Sequence, residues 1–223
     1  MIRSSAVVLA IAVMSFAGAA NAQLGKLKAL VGGAESGEPA AVAAPDGAMQ
    51  DALVNRFVTS QSHSLKAQAE FAKAFGLAEQ VQMLEAERIA LSSGAVDLAQ
   101  MKKTVSVSES AQVAIDERLA AQPELSAEAK AHYAEGLVAL LQAVMEGRKL
   151  ATEASNFTAG MKTLGAVQLA TMNRKLAVGA WVAKESPGYV KGLYGSTRSA
   201  LTFARAAKIK TPGNAESMLD GLE

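Results

Sequence analysis

The chain predicts an all-α fold, a single helical bundle of about five to seven helices behind a signal peptide and a flexible N-terminal linker. Three observations carry that expectation. Apolar residues recur at intervals of three and four through most of the chain, whereas period-two alternation is confined to Thr104–Ser108, too short to found a sheet. Hydrophobic residues make up 50% of the chain and aromatics only 4%, a composition of Ala, Leu and Val that lets helix backbones come close. Helix start and stop signals stand at intervals that suit helices of ordinary length.

The clearest element runs from Ser126 to Glu153. Ser126 is a good N-cap and Glu128 complements the positive end of the helix dipole. Tyr133, Leu137, Leu140, Leu141 and Val144 form one stripe, widened by Ala134, Val138 and Met145, while Glu135, Gln142, Glu146 and Lys149 form the wet face. The rest of the domain is expected to pack on this helix.

Residues 1–22 read as a secretory signal peptide: Arg3 precedes the apolar run Ala6–Ala17, and Ala20-Asn21-Ala22 supplies the small-x-small cleavage pattern. That run falls short of the roughly 20 residues a permanent membrane anchor requires. Cys is absent, so disulfides and acylation at a cysteine are excluded and the core alone must hold the fold. An Ala-rich exported chain of this kind points to a Gram-negative periplasm or the extracellular space. Residues 23–47 form an N-terminal segment: Leu24–Val31 suits a short amphipathic helix, and 32–47, rich in Gly, Pro and Ala, suits a linker.

The domain proper is expected over 48–223. Its first helix runs from an Asp46 cap to Phe75 and stops at Gly76, with Arg56, Thr59, His63, Lys66, Glu70 and Lys73 as a polar stripe. A second covers Leu77–Ser92, joined through Gly76 by a tight antiparallel turn rather than a kink. Capping boxes at Asp97/Gln100 and Ser106/Glu109 predict two helices, 97–104 and 107–121, and Pro123 ends the second. A bend is expected around Asn156–Gly165 and a helix over 166–184. Ser186-Pro187 reads as the start of a last long helix reaching Ala207, and Asn214 caps a short terminal one.

Charge is distributed unevenly. Residues 23–153 hold 12 basic and 17 acidic side chains, whereas 154–212 hold nine basic and one acidic. Within the basic part Lys191, Arg198 and Arg205 repeat every seven residues along one helix face, extended by Lys208 and Lys210. Such a face attracts an acidic protein of the envelope or an anionic lipid surface, unless the acidic helices cover it or it is a plain solvated face. Nucleic acid is disfavoured by export, near-neutral charge and few aromatics. Gly188, Gly192, Ser196, Ala200 and Ala204 fall at intervals of four on the same helix, a row that suits close backbone packing within a soluble bundle.

An enzyme has little to work with here. His63 and His132 are the histidines, both placed on polar faces. Glu128, His132 and Glu135 share a face at metal-ligand spacing, but a carboxylate-bundle metal site calls for further inward ligands, so no metal or other cofactor is expected. Phosphate-loop, nucleophile-elbow and zinc-protease motifs are missing from the sequence. Asn156-Phe157-Thr158 matches a glycosylation acceptor too loosely to carry weight, and Trp181 suits the core. The expectation is a non-enzymatic exported binding or adaptor protein, with a peripheral membrane binder as the alternative.

Overall fold

A computed structural model describes residues 44–93, 97–165, 168, 175–213 and 215, which belong to one compact unit, Ala41–Glu223. The expected signal peptide, the expected Leu24–Val31 helix, most of the expected 32–47 linker, most of the chain over 166–174 and the expected cap at Asn214 lie outside the described residues.

Five helices and no strand occur among the described residues: α1 Gly47–Ala74, α2 Ala78–Ser92, α3 Leu98–Ala121, α4 Ala127–Met161 and α5 Ala177–Ala206. Asp46, Asp97 and Ser126 cap α1, α3 and α4, each accepting from the backbone N–H three residues on. At the end of α1, Gly76 takes φ +68°, and Leu77 N–H reaches the Ala72 carbonyl at 2.8 Å. This left-handed stop reverses the chain and makes the turn that the sequence favoured. Lys73 then meets Glu85 of α2 at 2.9 Å across it.

The long α4 lies against α1 and α5, and its Leu137, Leu140, Leu141 and Val144 are buried. Two aromatic groups tie the three together. Phe71 and Phe75 of α1, Tyr133 of α4 and Phe203 of α5 lie with ring centroids 4.7 to 5.8 Å apart; farther along, Phe57 contacts Trp181 and Tyr189. Tyr133 also donates to the Ala200 carbonyl at 3.0 Å, and burial raises its phenol pKa.

Four expectations require correction. The segments around the two capping boxes are one helix, because Thr104 and Ser108 point inward and bond across helix interfaces, Thr104 to Glu87 and Ser108 to Gln68. Ser106 is mid-helix and exposed. The bend expected after Glu153 is absent up to Met161: Phe157 is buried, and a Cβ on Gly179 would stand 2.8 Å from its ring, so α4 and α5 pack tightly there. Pro187 lies inside α5 rather than at its start, and the Ser186 hydroxyl donates to the Val182 carbonyl at 2.6 Å. The buried Val182, Ser186 and Val190 on either side hold the helix through the missing amide. Val138 and Met145, placed on the buried stripe, are 48% and 45% exposed, so that stripe is narrower than expected.

Candidate functional site

Lys191, Arg198 and Arg205 are exposed on α5, and the chain beyond it adds exposed Lys208 and Lys210. Lys208 itself sits at φ +55°, with Ile209 N–H bonded to the Ala204 carbonyl at 2.8 Å. A lysine therefore occupies the left-handed position that glycine usually fills at a helix end, and its chain projects outward. Among the described residues no ion pair engages Lys191, Lys208 or Lys210.

The acidic helices do not serve as the counterpart of these three lysines. Several of their carboxylates are met from within the acidic part. Arg56 bridges Glu146 and Glu153, Lys103 meets Glu87 at 3.0 Å, and Lys149 meets Glu146 at 2.8 Å. Hydrogen bonding to Lys149, with Arg56 adding to it against burial, holds the Glu146 carboxyl below the ordinary carboxylate range.

Next to this row the glycines of α5 behave differently from expectation, whereas Ala200 and Ala204 of the same row are buried as close packing requires. A Cβ added to Gly188, Gly192 or Gly195 would meet nothing within 4 Å. Among the described glycines, close approach to another helix occurs at Gly136, Gly147 and Gly179. The row faces a groove between α3 and α5 that is floored by α1 and α4. At one end it forms an open pocket of about 360 Å³; a wider and more open depression of about 680 Å³ continues from it past Ser196 to Arg198 and Thr202. Spacing alone could not separate a packing row from an open one, since both demand small side chains.

Around the cavity most polar side chains are partnered. Gln68 donates to the Ser108 carbonyl and to Gln112 Oε1, both at 3.0 Å, and accepts from Ser108 Oγ at 2.9 Å. Tyr189 and Ser60 hydroxyls share a 2.9 Å hydrogen bond. Burial raises the Tyr189 phenol pKa against the hydrogen bonds it makes with Ser60 and Ser64. Gln61 is the exception among the buried ones. It is 1% exposed, and its amide oxygen has no partner among the described residues.

A third cluster joins α1 to α4. Glu70, assigned by its spacing to a solvated stripe, is buried, and His132 Nδ1 lies 2.8 Å from its Oε2. His132 therefore turns toward the bundle instead of outward. Donor atoms of Glu70, His132 and Glu135 lie within 4.8 Å of one another, so the structure substitutes Glu70 for Glu128 in the set that sequence spacing assembled. One histidine and two carboxylates suit a divalent cation. Lys73, however, holds the other oxygen of Glu70 at 3.0 Å, and its ammonium repels any cation brought to that carboxylate. Burial pushes the Glu70 carboxyl up, but His132 and Lys73 outweigh it and leave the pKa below its ordinary value. The cluster reads as an ionised strut between helices.

No family model, no curated protein and no solved structure matches this chain.

Proposed function

We propose that this chain is an exported, non-enzymatic binding protein of the bacterial envelope, which holds an acidic partner protein against α5 and the turn that follows it. The observation that carries this reading is the exposure of Lys191, Arg198, Arg205, Lys208 and Lys210 along one stretch. A row of like charges on one face raises the encounter rate with an acidic surface and fixes its orientation. The groove beside the row supports it, since small residues leave room there for side chains of the partner.

Capture from an envelope extract tests the reading, comparing the native chain with a Lys191→Glu, Arg198→Glu, Arg205→Glu variant. The native chain retains an acidic protein at low salt and releases it in about 1 M salt, where the Debye length is about 3 Å. The variant retains none. Equal retention by both chains would rule out the basic row as the contact surface. Salt-sensitive binding of the native chain to anionic vesicles, with no protein retained, would instead assign the row to a lipid surface.

A further inference from the structure

Past α5 the chain brings a segment of its own toward the wider depression. Residues 216–223 hold Glu216, Asp220 and Glu223 with no basic side chain, and their large apolar residues are Met218, Leu219 and Leu222. The acids recur at steps of four and three, so helical spacing sets them on one face and the apolar residues on another. Ala215, directly before them, is 1% exposed and belongs to the same buried cluster as Phe203, and its N–H donates to the Pro212 carbonyl at 3.0 Å. After exposed Lys210 the chain therefore turns back to the bundle, and the segment starts against it rather than in open solvent. Phe203 and Thr202 line one end of the depression and Gly192 the other. The rise between them along α5 is about 16 Å, and eight residues cover about 12 Å as a helix or about 26 Å extended. Leu119 is half-buried, and Ala120, Gly195, Ser199 and Thr202 are exposed, so an occupant can touch them directly. Arg198 and Asp116 are the charged residues among the described lining, and Gln112 already donates to Asp116 at 2.8 Å.

We infer that residues 216–223 occupy this depression as an internal acidic ligand, with Met218, Leu219 and Leu222 against Leu119, Ala120 and the Thr202 methyl group and with Asp220 and Glu223 directed to Arg198. An acidic partner then has to displace the tail before it gains the basic face of α5. Three features select this occupant. Its tether at Ala215 is short, which gives it an effective concentration on the order of millimolar at the depression. Its charge is opposite to that of Arg198 and of the exposed Arg205, Lys208 and Lys210 that precede it in the chain. Gly195 leaves room for its apolar side chains, since a Cβ there would meet nothing within 4 Å. The seating of the tail is independent of the proposed function; the competition with an acidic partner rests on it.

A synthetic peptide of residues 216–223 serves as the probe. It is titrated into the full chain and into a full-chain variant, Met218→Ser, Asp220→Ser, Leu222→Ser, whose own tail no longer fits. The variant is expected to bind one peptide per chain at least tenfold more tightly than the native chain, whose depression is already filled, and about 1 M salt weakens that binding. A peptide carrying Met218→Ser and Leu222→Ser binds the same variant at least tenfold more weakly, a loss that attraction to the basic row alone does not produce. Gly195→Leu, added to the variant, fills the depression and abolishes peptide binding; should that substitution prevent folding, the serine peptide decides alone. The seating of the tail is overturned by equal peptide affinity in the native and variant chains, by undiminished binding of the serine peptide, or by no saturable peptide binding to the variant. In capture from an envelope extract, the variant holds the acidic protein at a salt concentration that strips it from the native chain. Equal retention by both chains overturns the competition. Peptide binding to the variant with no protein retained by either chain upholds the seated tail and sinks the acidic-partner reading instead.

Discussion

Gly136 of α4 lies directly against Phe71 of α1: a Cβ built on the glycine would stand 2.6 Å from Phe71 Cε1 and 3.1 Å from the Ala67 carbonyl oxygen. The Phe71 ring is itself held 4.7 Å from that of Tyr133, so it has little room to retreat. Gly136→Ala is therefore expected to destabilise the fold by about 1 to 3 kcal/mol through overpacking, despite the helix-propensity gain. Gly195→Ala meets open space and is expected to stabilise by about 0.5 to 1 kcal/mol. Urea unfolding of the two variants should move the midpoint in opposite directions, and a shift of the same sign would refute the assignment of packed and open glycines.

Acid sensitivity follows from Glu70 and Glu146. Folding lowers the pKa of both below the 4.5 of the free group, so their stabilising contribution is complete above about that pH. It is lost as pH falls through the lower folded values. A Glu70→Gln, Glu146→Gln variant is expected to be less stable than the native chain at pH 7, with the gap narrowing below about pH 4.5. Thermal unfolding from pH 7 to 3 checks this; a gap that widened on acidification would contradict the ion-pair account.

Local signals in the sequence were reliable where they concerned backbone groups that the residue itself satisfies. Asp46, Asp97 and Ser126 each cap a helix as their position predicts, and Gly76 stops α1, because those interactions span only a few residues. Ser106 and Ser186-Pro187 carry the same signals and fail for a tertiary reason. Buried neighbours on both sides, Thr104 with Ser108 and Val182 with Val190, hold the helix straight through them. Interhelix polar contacts were not legible either. Glu70 sits in a polar stripe by spacing, yet the partner that selects its role, His132, is 62 residues away. The exposure of Lys191, Arg198 and Arg205 on one face of α5 was legible because it depends on one helix alone. The open cavity beside it depends on how α3 stands off α5, which no single helix encodes.

Tyr133→Phe isolates one link between α4 and α5. The ring keeps its contacts with Phe71, Phe75 and Phe203, while the hydrogen bond to the Ala200 carbonyl is lost and that buried acceptor loses this donor. The expected cost is about 1 to 2 kcal/mol. Hydrogen exchange should show the lower half of α5, around Ala200–Ala204, opening more readily than α1. Uniform loss of protection across the bundle would mean that the hydroxyl has no local role.

Lys208 separates stability from binding in a single residue. Its φ of +55° places a side chain in the left-handed region at a cost of about 1 to 2 kcal/mol, which glycine does not incur. Glycine also adds freedom to the unfolded chain, which offsets part of the gain. Lys208→Gly is therefore expected to raise stability by up to about 1 kcal/mol while removing one exposed cation from the basic stretch. A lysine in that position is understandable if its charge is used. Under the proposed function the variant melts higher and yet releases its acidic partner at lower salt than the native chain. Lys191→Gln is the control, because it removes a cation from α5 without changing the left-handed residue; it should weaken retention to a similar degree and leave the melting temperature nearly constant. Undiminished retention in both variants, with only Lys208→Gly altered in stability, would confine Lys208 to a structural role and exclude both lysines from the contact surface.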